Sequence, residues 1–156
     1  MAKMMLAVVC CALLLTVLVV GLAVSGRMAE GDLPRVTLAG EGAEVKNVDV
    51  GEAYALIADR EGDPAFVILD VRTPGEVAAG YIEGAVNINY RNDSFSREIS
   101  ALDRGKTYLV YCRAGNRSAR TSEMMVKDGF AEVYNMEGGI TAWREAGYPV
   151  VRESPA

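Results

Sequence analysis

The stretch Thr107-Tyr108-Leu109-Val110-Tyr111-Cys112-Arg113-Ala114-Gly115-Asn116-Arg117-Ser118 decides how this chain reads. Its first five residues form a continuous run rich in β-branched and aromatic side chains, the pattern of a strand buried on both faces. Cys112 then stands at the carboxyl end of that strand, where open α/β sheets place their ligands. Ala114, Gly115 and Asn116 are small or turn-forming, so the backbone can curl there and aim several N–H groups inward as an anion-binding nest. A helix opening near Ser118 adds the positive end of its dipole. Arg113 and Arg117 add fixed charge. All of these favour thiolate over thiol and predict a Cys112 pKa below its ordinary value.

Around this stretch, Arg104 to Ser122 holds five basic residues (Arg104, Lys106, Arg113, Arg117 and Arg120) and no acidic one. The chain as a whole carries a net charge of −5, so this is a local positive field suited to steering a small anion. The competing reading makes Cys112 a core residue and the arginines a solvated helix face. A core cysteine, however, does not call for a glycine-bearing loop with flanking arginines directly after a strand.

Composition removes many mechanisms. There is no histidine among the 156 residues, which excludes a Ser-His-Asp triad, a Cys-His dyad and any His-ligated zinc. Of the three cysteines, Cys10 and Cys11 lie in an apolar run and Cys112 stands alone. A lone thiol makes neither a Cys-x-x-Cys pair nor a four-thiolate metal site. Net acidity weighs against a nucleic-acid partner, which would need clustered Lys and Arg. No motif calls for a metal or an organic cofactor.

The remaining pattern alternates strand and helix. Asp49 with Glu52 forms a capping box opening a helix across Ala53 to Arg60. Phe66 to Leu69 reads as a buried strand. Thr73-Pro74-Gly75-Glu76 repeats the capping logic with Pro at the first helical position, and Gly80 is a natural stop. Ala85 to Ile88 is a short strand, Ser96 to Leu102 a helix, and Ser118 to Lys127 a helix ending near Gly129. Glu132 to Asn135 is a strand, Gly138-Gly139 a turn, and Ile140 to Glu145 a last helix. Alternation of this kind predicts an α/β domain, with a central, mostly parallel sheet flanked by helices in three layers.

The amino-terminal part differs in kind. Met4 to Val24 is uncharged with Thr16 as its only polar side chain, and at ~1.5 Å per residue it can cross a bilayer core of about 30 Å. Residues 1–25 are therefore expected to be a transmembrane anchor or, since Ala23-Val24-Ser25 suits cleavage, a signal peptide. Residues 26–44 read as a flexible linker and 45–156 as the domain. The flanking charges (Lys3 against Arg27 and Arg35) give no clear orientation. Because so short an amino-terminal tail usually stays in the cytoplasm, the domain is expected outside it, periplasmic or at the cell surface.

The blocks LDVRTPGEVAAGYIEGAVNI, VYCRAGNRSA and VYNMEGGITAWREAGYPV, in that order, resemble a single-domain rhodanese, a sulfurtransferase, over about Asn47 to Val150. The resemblance implies that Cys112 is the nucleophile and carries a persulfide. It implies that the backbone of Arg113, Ala114, Gly115, Asn116, Arg117 and Ser118 binds the anion, and that Arg113 and Arg117 meet a thiosulfate-like donor. The acceptor would be cyanide, a thiol or a protein thiol. Asp70 and Arg72 match the family's Asp-Val-Arg block and would support the site as an ion pair; Trp143 and the Gly138-Gly139 turn would be structural. Tyr81 and Glu83 depart from the usual Gly-His-Ile-Pro-Gly-Ala, which alters the rim and not the nucleophile. Cysteine phosphatases and arsenate reductases resemble the layout but use a longer loop, with five residues between Cys and Arg where this chain has four. A rhodanese-like carrier module with little turnover is the main alternative.

Overall fold

The apolar runs in the sequence become the middle of one sheet. The structure, a computed structural model, describes residues 44–152. In chain order its elements are β1 (Lys46–Val48), α1 (Val50–Asp59), β2 (Phe66–Asp70), α2 (Pro74–Ala78), β3 (Val86–Asn87), α3 (Phe95–Ser100), β4 (Thr107–Tyr111), α4 (Asn116–Lys127), β5 (Glu132–Met136) and α5 (Gly139–Glu145). The strands lie in the order β1-β5-β4-β2-β3, and each neighbouring pair is parallel. This is an α/β fold, a parallel sheet flanked by helices.

Strand β4 is central and all five of its residues are buried. Side chains on a strand alternate between faces. Tyr108, Val110 and Cys112 accordingly join one cluster with Leu69, Ile99, Met125, Phe130 and Val133, under α3 and α4. Leu109 and Tyr111 join the other with Ala53, Ile82, Met136, Ile140 and Trp143, under α1 and α5. Both faces are covered, which is why the run carries no polar alternation.

The strand order also fixes where ligands can reach the sheet. From β2 the chain moves outward to β3; from the adjacent β4 it moves the opposite way to β5. The connections diverge between these two strands, so a crevice is left at their carboxyl ends. Asp70 ends β2 and Cys112 follows β4, so both flank that crevice.

Several bounds differ from the sequence reading: α1 begins at Val50 and not Ala53, and α3 ends at Ser100 and not Leu102. The edge strand β1, expected only as the start of the domain, forms by pairing Lys46 with Tyr134 and Val48 with Met136. Helix α4 begins at Asn116, two residues early, because Gly115 turns the chain with φ 92°. The expected anchor or signal segment 1–25 and linker residues 26–43 lie outside the described residues. Among the described residues, no helix is long and apolar enough to cross a membrane.

Candidate active site

Cys112 is 1% exposed. The Gly115 N–H donates to its Sγ at 3.2 Å. The Ser118 hydroxyl lies 3.6 Å from the same sulfur and 2.9 Å from the Gly115 carbonyl. One hydroxyl proton serves one acceptor at a time, so it turns to the sulfur as charge develops there. Burial pushes the Cys112 thiol pKa up. The Ser118 amide and hydroxyl, with the Ala114 and Arg117 amides, push it down and prevail, holding it below the ordinary thiol value. Helix α4 adds its amino-terminal dipole.

The turn between β5 and α5 holds this loop from outside. The Ile140 N–H donates to the Cys112 carbonyl at 2.9 Å and the Thr141 N–H to the Arg113 carbonyl at 3.1 Å. A trans peptide sets its C=O and N–H on opposite sides. Tying the Arg113 carbonyl to α5 therefore turns the Ala114 N–H the other way, toward the sulfur. The turn approaches so closely that a Cβ on Gly139 would lie 2.5 Å from the Cys112 oxygen and 2.7 Å from the Arg113 carbonyl carbon and oxygen.

A second support comes from β2. Arg72 Nε donates to both Asp70 carboxylate oxygens at 2.9 Å, and Nη2 to Oδ2 at 2.6 Å. The remaining donors reach the Glu76 carbonyl at 2.9 Å and the Gly80 carbonyl at 3.0 Å. The guanidinium also lies over the Tyr111 ring. Asp70 and Arg72 are each 1% exposed. Every guanidinium nitrogen thus has a protein acceptor, and the pair ties the segment after β2 to the sheet.

Arg117 is not a free cation. Its Nη1 and Nη2 donate to the two Glu76 carboxylate oxygens at 2.9 and 2.7 Å, a bidentate pair. Arg117 chiefly, aided against burial by the Thr73 amide and hydroxyl, lowers the Glu76 pKa to about 2. The run that holds five bases and no acid in sequence is therefore offset in space by an acid from α2. Arg113 is exposed at the rim, as are Ala114 and Asn116. A cleft of about 420 Å³ opens there, lined by Glu76 and Ala79 on one side and by Arg113, Thr141, Arg144 and Glu145 on the other.

The structure thus gathers the Ala114, Gly115, Arg117 and Ser118 amides around Cys112, leaves the Arg113 and Asn116 side chains outward, and sets Asp70 and Arg72 behind them. Glu76 was legible only as a helix-capping residue, and Gly139-Ile140-Thr141 only as a turn and helix start. Neither carried a local signal of its contact with the loop. Among the described residues, no group of three or more Cys, Asp or Glu side chains gathers to hold a metal.

A parallel α/β domain offering an amide-cradled thiol at the end of its central strand is the class these features define. The chain belongs to the rhodanese-like family: residues 49–146 match the model of the rhodanese-like domain. It is 35% identical over 107 residues to the thiosulfate sulfurtransferase GlpE of Pseudomonas entomophila, covering 69% of this chain and 91% of the relative. A sulfurtransferase of Allochromatium vinosum is 30% identical over 107 residues, covering 69% and 95%. Among solved structures, a rhodanese-related protein from Thermoplasma volcanium matches with a TM-score of 0.59 and 36% identity, over 69% of this chain and 99% of that one.

Proposed function

We propose that this protein is a sulfurtransferase that carries sulfane sulfur as a persulfide on Cys112, taking it from a small anionic donor such as thiosulfate. The observation that carries this reading is the Cys112 sulfur held by main-chain N–H groups with its pKa lowered. The relatives named as sulfurtransferases support it. In the first step the thiolate attacks the outer sulfur of thiosulfate and forms an S–S bond. The donor's own S–S bond breaks and sulfite leaves with its electron pair. In the second step a thiolate or cyanide attacks the outer sulfur of the persulfide and the Cys112 thiolate departs. Neither step needs a base, and both keep an anion at Sγ or one atom beyond it, where the amide nest and the α4 dipole act. With four residues between Cys112 and Arg117, the loop suits a sulfur atom better than a tetrahedral phosphate.

Incubation with thiosulfate followed by intact mass measurement tests this. Wild type gains one sulfur atom and Cys112→Ser gains none; no gain on wild type, or a gain that survives the substitution, overturns it. Thiocyanate formation from cyanide in steady state separates an enzyme from a carrier that charges once. The proposal extends to place: the apolar run Met4 to Val24 holds the domain at a membrane or exports it, on the side away from the cytoplasm. A protein thiol there is a further acceptor.

A further inference from the structure

Glu76 occupies an unusual position for a capping residue. Its carboxylate closes the first turn of α2 by accepting the Thr73 amide at 3.0 Å and hydroxyl at 2.9 Å. The same carboxylate holds both terminal nitrogens of Arg117. Arg117 stands in the first turn of α4, the helix that begins directly after Gly115, whose N–H holds the Cys112 sulfur. Its carbonyl accepts from Arg72, which is locked on Asp70. With both ends tied, Glu76 does not swing away cheaply when an anion enters the cleft.

The charges around the cleft can then be set against each other. Arg72 is paired with Asp70 and Arg117 with Glu76. Arg113, Arg144 and Glu145 line the cleft beside them. Four arginines face three carboxylates, leaving one positive charge in excess. With Arg72 and Arg117 already paired, Arg113 and Arg144 are the cleft's arginines without a carboxylate partner among the described residues. Glu145 lines the same cleft, so a second negative charge on the donor is less well compensated than the first.

We propose that Glu76 is a specificity-determining residue: by cancelling the charge of Arg117 beside Cys112, it matches the site to sulfane donors bearing one negative charge over those bearing two. Organic thiosulfonates and organic persulfides form that class; thiosulfate, a dianion, is accepted against this bias. The inference rests on the sulfurtransferase reading above and refines its donor. The step itself is unchanged, with a sulfinate or thiolate leaving in place of sulfite.

The experiment compares thiosulfate with methanethiosulfonate, a monoanion in which a methyl group replaces one oxygen. The full chain is used, with kcat/KM for thiocyanate formation as the readout. Glu76→Gln leaves Arg117 uncompensated and raises the thiosulfate-to-methanethiosulfonate ratio roughly tenfold, as one partly screened charge contact can. It also moves the pH midpoint of Cys112 alkylation by iodoacetamide downward. Arg117→Gln leaves Glu76 uncompensated and moves the ratio below that of wild type, a second test if Glu76→Gln does not fold. Glu76→Asp, which keeps the charge, stays near wild type. Equal slowing of both donors with an unmoved alkylation midpoint would make Glu76 a prop for the loop and overturn the inference. If wild type transfers sulfur from neither donor, the sulfurtransferase reading fails, and the alkylation profiles still decide whether Glu76 offsets Arg117.

Discussion

Gly139 holds the Cys112 loop and Asp70 the segment after β2, each from outside the cleft lining. At Gly139, φ is 58° and a Cβ would overlap the Cys112 and Arg113 carbonyls. Gly139→Ala is therefore expected to cost about 1–3 kcal/mol and to slow sulfur charging, read by thermal melting and by mass. Removing one member of a buried ion pair strands the other. Asp70→Asn, which leaves Arg72 unneutralised, should lower stability in urea by about 3–5 kcal/mol. The chemistry at Cys112 also predicts a pH curve of one limb. The thiolate is the reactive form, Glu76 is already ionised above about 2, and the pKa of Arg117 is raised further from neutrality. Iodoacetamide reactivity should rise once with pH and then level off; a second, descending limb before the strongly alkaline range would contradict this.

The elements are stapled by carboxylates that titrate far from neutrality. Glu76 joins α2 to α4. Glu132 on β5 accepts from Lys46 of β1, Thr107 of β4 and Tyr134. Lys46 and Thr107, with Tyr134, hold its pKa at about 2 against burial. Both are lowered from an ordinary value of 4.5, so their stabilisation is fully present above that value and is lost as pH falls through about 2. Denaturant unfolding should show stability falling across this window, and Glu76→Gln with Glu132→Gln should flatten the fall. The same contacts show what a sequence can and cannot convey. β4 was legible to the residue, because five consecutive buried positions leave an unbroken apolar run. So were the capping residues Asp49 and Glu52, three apart and in contact. β1 was not, since Lys46 and Asn47 are exposed and the strand exists through partners some 88 residues away, such as Asn135 on Asn47. The start of α4 was misplaced because Gly115 caps it by backbone conformation, without the side-chain bond that usually marks a helix start. Glu76 and Arg117 lie 41 residues apart, and the parallel pairing of β2 with β4 brings together the segments that follow those strands.

At the scale of the domain, the sheet order places Cys112 and its amide cradle at the carboxyl end of the central strand, away from the edge strands β1 and β3. The amino-terminal run sets a separate question of place. On the proposal above, the full-length chain should sediment with membranes and resist an alkaline wash, or be recovered shortened near Ser25 if the run is a signal. A reporter fused to the carboxyl terminus should be active only outside the cytoplasm; activity of a cytoplasm-only reporter would reverse the assignment of side. On the proposals above, the amide cradle around Cys112 divides its work between backbone and side chains. Potency resides in main-chain N–H groups, which every residue but proline supplies, on a path fixed by Gly115 and Gly139. Donor choice falls, on the same proposals, to the outward side chains of Arg113, Ala114 and Asn116, while the Glu76–Arg117 pair bears on both the donor and the sulfur. A lineage, or a designer, can therefore rewrite the rim to court new sulfur donors while the nucleophile keeps its strength, so long as those two glycines stay.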